Sequence, residues 1–341
     1  MKKADSFMYA DVTPFVPAHA TECEIAECYE ASTSAYRADF PYRPVPSYAF
    51  FAEQLRMPTS LLGPQRFWVA RAEGRIVGIA TLTLPDRENL QLTITNVRVG
   101  PANRRHGIGT ALLRATLGDA RAAGRSLVTG QGLKVGGDGE RWASSLGFGK
   151  VQEFVLQSLT VPEVDPELWR VPAPAGFRAE RWTGATPDAL VAGYARARTA
   201  IMDAPVGDST LRFPDWTVER VRQHEADLRE RGDEHRIVVA IHERTGAVAG
   251  LTEMVIRPAR PTIGYQQETA VLPAFRGRGL GRFVKAGMMR WLTAKRPEIT
   301  WVGTNTAADN DHMIRVNHQV GYRTEATVAD VEVPIGALED H

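Results

Sequence analysis

The chain has 341 residues, which is enough for two domains with separate hydrophobic cores. Its 41 basic and 40 acidic side chains leave a formal charge of +1, which argues against a broad positive surface for nucleic acid. The N-terminal "MKKADSFMYADVTPF" lacks a continuous apolar core, and no apolar run reaches membrane-spanning length. We therefore expect a soluble, cytoplasmic protein that binds neither nucleic acid nor a membrane.

The two cysteines, Cys23 and Cys28, lie five positions apart in a predicted helix. Side chains at that spacing do not face each other, so a disulfide between them is not expected. We predict ordinary thiols and no metal site.

The chain repeats itself at an offset of 172 positions. The stretch "EGRIVGIA" (73–80) shares its register with "TGAVAGLT" (245–252), and "VGPANRRHGIG" aligns with "VLPAFRGRGLG" at the same offset. Farther on, "SSLGF" aligns with "HQVGY" at a separation of 174, which requires a two-residue length change between the copies. The repeat indicates a tandem duplication.

The duplication sets the predicted domain boundaries. We place one domain at residues 1–160 and the other at 177–341. The segment between them, "VPEVDPELWRVPAPAG", contains four prolines and is predicted to be a linker over residues 161–176.

In the second copy, apolar spacing predicts a helix after Thr186 and Pro187 and another at about residues 217–231. Alternating and continuous apolar runs predict strands at about residues 236–241, 247–256 and 263–272.

Each copy contains a glycine turn between a strand that ends in V-x-P and a helix. Closely spaced glycines let backbone N–H groups approach an anion, and a helix start adds free amides and a favourable dipole. The second turn is not a P-loop, because Arg282 and Phe283 follow its last glycine instead of lysine and Ser or Thr. It is not a dinucleotide fingerprint either, because its glycines alternate strictly.

These turns resemble the signature of the GCN5-related N-acetyltransferase (GNAT) superfamily, Arg/Gln-x-x-Gly-x-Gly/Ala. Residues 104–109 and 276–281 both match it. The resemblance is to actinobacterial tandem members and implies an α/β (α+β) fold. Each of the two tandem domains is then a mixed, splayed, mostly antiparallel sheet flanked by helices.

The resemblance further implies acetyl-CoA as the cofactor, with its pyrophosphate on the glycine turn and its pantetheine arm on the preceding strand. The implied cofactor-binding residues in the second copy are Val271, Leu272, Arg276, Gly277, Arg278, Gly279, Leu280, Gly281, Arg282, Asn305 and Asn310. In the first copy they are Val99, Arg104, Arg105, His106, Gly107, Ile108 and Gly109.

The implied chemistry is direct attack of an amine on the thioester, which needs a base for the amine and a proton for the departing sulfur. Candidate bases are Glu268 and Glu253, and Tyr265 is expected to line the same cleft. Many family members carry a tyrosine that protonates the thiolate, but this chain has Asn317 at that position and Ala143 in the first copy. The proton source is left open among Tyr322, Tyr265, His312, His318 and water.

The loop "IMDAPVGD" resembles the segment that borders the acceptor in the tandem relatives, so Asp203 and Asp208 are candidate contacts for a cationic amine. The late part of the second copy is rich in asparagine, whereas that of the first copy is rich in glycine. We therefore expect the second copy to be catalytic and the first to be mainly structural, with coenzyme binding there left open.

The leading hypothesis is an acetyl-CoA-dependent N-acetyltransferase that acts on a small-molecule amine in secondary metabolism or self-resistance. The alternatives are a mycothiol synthase-like enzyme, a protein N-acetyltransferase and a non-catalytic acyl-CoA-binding scaffold. The expected assembly is a monomer with pseudo-dimeric halves or a homodimer.

Overall fold

The computed structural model describes residues 10–57, 62–203 and 207–338, except for the side chains of residues 202 and 203. The chain divides into two compact units, each built from discontinuous segments. The first contains residues 1–152, 208–212 and 328–341, and the second contains residues 153–207 and 213–327. The boundaries at residues 160 and 177 stay a prediction about the repeat, and the compact units cross them.

The first unit contains a sheet with helices packed on it. Its strands and helices are β1 (Asp11–Phe15), α1 (Glu22–Asp39), α2 (Tyr48–Arg56), β2 (Gln65–Ala72), β3 (Arg75–Thr83), β4 (Leu92–Val99), α3 (Ile108–Ala122), β5 (Leu127–Lys134) and α4 (Asp138–Ser145). The sixth strand is the last part of a long C-terminal strand, numbered β12 below (Arg323–Pro334). The strand order is β1-β2-β3-β4-β5-β12.

The second unit repeats this plan. Its elements are β6 (Gly149–Thr160), β7 (Phe177–Thr183), α5 (Asp188–Thr199), α6 (Val218–Glu230), β8 (Glu234–His242), β9 (Val248–Ile256), β10 (Ile263–Val271), α7 (Leu280–Lys295), β11 (Trp301–Ala307) and α8 (Asp311–Gln319). The strand order is β6-β11-β10-β9-β8-β7. The pairs β4–β5 and β10–β11 are parallel, and the other pairs given for the two units are antiparallel. The predicted fold class is confirmed.

The outer partner of the parallel strand in each unit comes from the other repeat. In the first unit, β5 pairs with residues 328–334 of β12. In the second unit, β11 pairs with residues 154–160 of β6. Neither repeat therefore completes its own sheet, which sequence periodicity could not indicate because pairing partners are non-local.

The predicted linker is part of the second unit. It contains two short 3-10 turns, and the side chain of Trp169 in the second of them is buried. The Trp169 indole N–H donates to the Val320 carbonyl at 2.9 Å. The proline-rich composition thus belongs to a packed segment and not to a free connection.

The starts of α1, α7 and α5 can be described from the residues at their N-termini. Thr21 and Glu24 form a reciprocal capping box at the start of α1. Helix α7 begins at Leu280, directly after the glycine turn, because Gly279 adopts the left-handed conformation and acts as its N-cap. Helix α5 begins after its N-cap residue Pro187 and has no side-chain cap, and the Thr186 amide before it donates to Glu225.

Within the described ranges, no helix is long and apolar enough to cross a membrane. The same ranges contain no group of three or more His, Cys, Asp or Glu side chains placed to hold a metal ion.

Candidate functional site

The first unit contains an open cleft between two diverging parallel strands. β4 and β5 pair over only three residues, from Leu92 opposite Leu127 to Ile94 opposite Thr129. Beyond them the strands separate, and residues 95–99 and 130–134 line a cavity of about 660 Å³. A cavity of this size falls in the range of small-molecule sites.

The walls of the cleft are apolar on the side of α3 and polar on the side of α1. Val97 and Val99 pack against the core cluster to which α3 contributes Leu112 and Leu113. Arg98 lies across from Ile79 on β3, and Ile79 packs against α1, so Arg98 lies on the α1 side of the sheet. Within the part of the chain that is described, Arg98 forms no ion pair.

The glycine turn of the first unit closes one end of the cleft. Gly107 has φ of +76° and forms the N-cap of α3, and a Cβ atom placed on it meets no described atom within 4 Å. The first amides of α3 lack intrahelical acceptors, as at every helix start. The turn can therefore bind an anion, because the approach to its backbone is open.

The first arginine of each turn holds the turn in place. Arg104 donates through Nε to the Val99 carbonyl at 3.4 Å, and it forms ion pairs with Asp138 at 3.0 Å and Asp39 at 3.5 Å. Arg276 makes the equivalent Nε contact to the Val271 carbonyl at 3.1 Å. The sequence predicted these arginines as phosphate ligands, and that role stays a prediction beside their contacts within the turn.

A second cavity of about 450 Å³ lies beside the turn of the first unit and shares part of its lining with the cleft. Four of its side chains are basic: Arg104, Arg105, Lys134 and Arg141. Arg104 and Arg141 are paired with Asp138, whereas Arg105 and Lys134 have no acidic partner among the described residues. This end of the site therefore carries positive charge.

The turn of the second unit is also open. A Cβ atom placed on Gly277, Gly279 or Gly281 meets no described atom within 4 Å. The amide of Leu272, however, donates to the Ala249 carbonyl at 2.9 Å within the sheet. The N–H of Leu272 is therefore engaged within the sheet, and a contact of Leu272 with the coenzyme through its other atoms stays a prediction.

Glu253, a predicted base, is a buried counter-ion. Its side chain is 1% exposed. It accepts a hydrogen bond from Tyr194 at 2.7 Å, pairs with Arg198 at 2.9 Å and contacts His235 at 3.2 Å. Burial alone raises a carboxyl pKa, but the nearby Arg198 and His235 lower that of Glu253 to about 2. In this structure Glu253 thus serves as a buried counter-ion, and its role as a base stays a prediction.

Glu268, the other predicted base, is more accessible. Its side chain is 28% exposed and accepts from Arg198 Nε at 3.1 Å. The β9–β10 register shifts between Gln266 and Thr269, which places Glu268 at an irregularity. Burial raises the pKa of Glu268, Arg198 opposes that rise and Glu253 adds to it.

Tyr265 is half-buried and its hydroxyl accepts a hydrogen bond from Arg260. The Arg257 guanidinium lies over its ring, 5.2 Å from the centroid. The hydroxyl is thus engaged by a cation at the surface of β10.

The three predicted asparagines serve different purposes. Asn317 is 1% exposed and donates to Gln157 at 2.7 Å and to Thr306 at 3.1 Å. Asn310 caps α8 by accepting from the Met313 amide at 3.1 Å. Asn305 is exposed on β11. Asn317 and Asn310 thus have structural contacts, and the catalytic role of Asn317 and the cofactor role of Asn310 stay predictions.

The predicted acceptor loop separates into two parts. The Asp203 side chain lies outside the described residues. Asp208 belongs to the first unit, where its amide donates to the Val151 carbonyl at 2.8 Å. In the same segment, Thr210 bonds to Glu332 through both its amide and its hydroxyl. Asp208 is thus part of the first unit, and its contact with a cationic amine stays a prediction.

Sequence reasoning missed several residues of the cleft, among them Tyr36, Asn96, Arg98 and Trp142. Tyr36 lies in the last part of α1, which has no recognisable motif. Asn96 was detectable, because the repeat offset aligns it with Glu268.

Comparisons with known proteins agree with this geometry. The family model described as Acetyltransferase (GNAT) family matches residues 25–130 and 201–322, together more than half of the chain. Mycothiol acetyltransferases from Mycobacterium avium (strain 104) and Mycolicibacterium paratuberculosis are each 25% identical over 271 residues. That match covers 78% of this chain and 81% of each relative.

Solved structures are similar over nearly the whole chain. A tandem GNAT protein from the clavulanic acid biosynthesis pathway has a TM-score of 0.78 at 25% identity, covering 96% of this chain and 99% of that one. A GCN5-related N-acetyltransferase from Sphaerobacter thermophilus has a TM-score of 0.72 at 15% identity, covering 96% of both chains. The similarity to the Sphaerobacter thermophilus structure supports the fold alone.

The two glycine turns differ at the position of Arg105, and this difference predicts opposite effects on folding stability and on anion binding. Arg105 has φ of +68°, whereas its counterpart Gly277 has φ of +75°. A non-glycine residue in this region costs roughly 1–2 kcal/mol. Arg105→Gly should therefore raise the melting temperature by a few degrees and weaken binding of coenzyme A, because a free guanidinium is lost from the basic cavity.

Differential scanning calorimetry and titration with coenzyme A measure the two effects. Arg87→Gly is a control that removes a positive charge elsewhere in the first unit. Unchanged affinity in Arg105→Gly would show that the strained arginine does not contact the anion.

Proposed function

The chain belongs to the acetyltransferase (GNAT) family and is an N-acetyltransferase, and we propose that it transfers acetyl from acetyl-CoA, held in the cleft of the first unit, to a small-molecule primary amine. The observation that carries the proposal is the cavity between the diverging ends of β4 and β5.

The residues of this cleft fit the coenzyme. The open turn at Gly107 suits a pyrophosphate, and the neighbouring basic cavity suits the other phosphate groups. The apolar side chains of Val97, Val99 and Leu113 suit a pantetheine arm and exclude water from it. When bound, acetyl-CoA supplies an acetyl group activated as a thioester.

The chain's own groups would orient the acceptor. Asn96 and Arg98 lie on alternate positions of β4 and so share its α1 face, where Tyr36 also lines the cleft. Asn96 occupies the position that Glu268 has in the second copy, and an amide cannot take a proton from an ammonium group. We infer that the amine loses its proton to solvent before it attacks.

A second candidate places the chemistry in the second unit with Glu268 as the base. The raised pKa and partial exposure of Glu268 favour this candidate, because a base works best with a pKa near the operating pH. The ion pair with Arg198 disfavours it, because Arg198 stabilises the charged form of the carboxylate.

The names of the relatives support a small-molecule acceptor, since they refer to mycothiol and to the clavulanic acid pathway. We propose a role in secondary metabolism or self-resistance. A mycothiol synthase-like enzyme, a protein acetyltransferase and a silent acyl-CoA binder are the alternatives, and release of free thiol with a panel of amines and peptides separates them.

The two turns provide a matched pair of variants for coenzyme binding. Gly107→Glu should abolish the thermal stabilisation by acetyl-CoA, because a side chain and a negative charge enter the anion site. Gly279→Glu should retain it. Both glycines have φ of +76°, so the two variants carry a similar backbone strain.

The measurement is the melting temperature with and without acetyl-CoA. Saturation at one hundred times Kd stabilises a protein by about 2.7 kcal/mol, which is readily detected. The opposite pattern, with stabilisation lost only in Gly279→Glu, would place the coenzyme in the second unit.

Glu268→Gln tests the two candidates for the chemistry. If the first cleft is the active site, the pH dependence of kcat/KM between pH 6 and 9 should equal that of the wild type, with the rate following deprotonation of the amine. Glu298→Gln, which alters an exposed carboxylate of the same unit, is the control. A loss of about 100-fold or more in Glu268→Gln alone would transfer the reaction to the second unit.

A further inference from the structure

Four positions that line the cleft of the first unit have polar counterparts in the second. The repeat offset aligns Leu113 with Lys285 and Val97 with Thr269, and the later offset of 174 aligns Ala143 with Asn317 and Phe148 with Tyr322. The first member of each pair is apolar and faces the cavity. The second member is a hydroxyl, amide or amine that is at least nine-tenths buried.

Lys285 reaches between the two walls of the second unit. It projects from α7, and its Nζ lies 3.4 Å from the Thr269 hydroxyl on β10. It also lies 5.3 Å from the centre of the Tyr322 ring, next to the start of β12. In the first unit the counterparts of these two contacts, Val97 and Phe148, both line the open cavity. The lysine amine therefore occupies the gap that the first unit leaves open.

Lys285 has no carboxylate partner among the described residues, although it is only 2% exposed. Burial lowers its pKa to about 7. The Tyr322 hydroxyl also lacks a described hydrogen-bond partner. A buried amine without a carboxylate partner, such as that of Lys285, lowers the stability of the fold unless it serves another purpose. The property that distinguishes Lys285 from Leu113 is its longer side chain, which closes the channel.

Hydrogen bonds connect the other side chains around the corresponding gap of the second unit. Asn317, Gln157 and Thr306 bond to one another, and the Thr304 hydroxyl donates to the Gln266 carbonyl across the diverging ends of β10 and β11 at 3.3 Å. These contacts join β11 to β10, β6 and α8 around the gap.

We propose that Lys285 closes the second unit to the coenzyme, so that each chain binds one acetyl-CoA. The inference rests on the proposed function of the first cleft. It identifies Lys285 as the residue that determines which copy of the duplication accepts the ligand.

The test is the stoichiometry of coenzyme A binding, measured by isothermal titration calorimetry on the full chain. The wild type should bind one molecule per chain, and Lys285→Ala should bind a second, weaker one. Lys285→Met keeps the length of the side chain without its amine and should still bind one. A second site in Lys285→Met would overturn the claim that side-chain volume closes the channel.

The reciprocal change protects the test against a folding defect in Lys285→Ala. Leu113→Lys and Leu113→Met should both lose binding, because either extended side chain would close the channel of the first unit, with circular dichroism showing that both variants are folded. Retained binding in folded Leu113→Lys contradicts the inference, as do two molecules per wild-type chain or one per Lys285→Ala chain. A wild type that binds none would instead refute the proposed function.

Discussion

The cleft of the first unit depends on the point at which the parallel strands β4 and β5 stop pairing. β4 and β5 share hydrogen bonds over only three residues, and their separation beyond Ile94 exposes strand backbone beside the glycine turn. A ligand with an anionic end and a thin arm is complementary to such a gap, because the turn binds charge and the strands bind amides. The gap persists because β5 pairs on its other side with β12, so that β5 does not collapse onto β4. The Asp330 carboxylate, which accepts from the Gly132 amide at 2.9 Å, supports an irregularity in that pairing.

Local sequence patterns predicted much of the fold. The glycine turns, the strands before them and the helices after them depend on short-range geometry, so their positions agree with the predictions within a few residues. The exchange of final strands between the repeats could not be predicted, because β12 and β6 have no feature that selects a partner in one unit over the other. Trp169 shows the same limit, since proline spacing suggests a linker while the buried indole fixes the segment in the second unit.

The site was harder to predict than the fold, because it depends on which side of a strand a residue faces. Glu253 and Glu268 were equivalent candidates in the sequence. The irregularity of β10 brings Glu268 toward solvent, while regular pairing directs Glu253 into the Arg198 ion pair. Asparagine content favoured the second copy as the catalytic one, and the proposal for the first cleft departs from it because composition does not show what each asparagine contacts. The amide of Asn317 completes a buried hydrogen-bond network, whereas its counterpart Ala143 leaves space for a ligand.

Hydrogen exchange with and without coenzyme A tests the central claim most directly. Each unit has its own turn and its own pair of diverging strands, so protection can be assigned to one of them. We predict slower exchange at residues 95–110 and 130–134, with no change at residues 266–282 and 304–307. Protection confined to the second set would contradict the assignment of the coenzyme to the first unit.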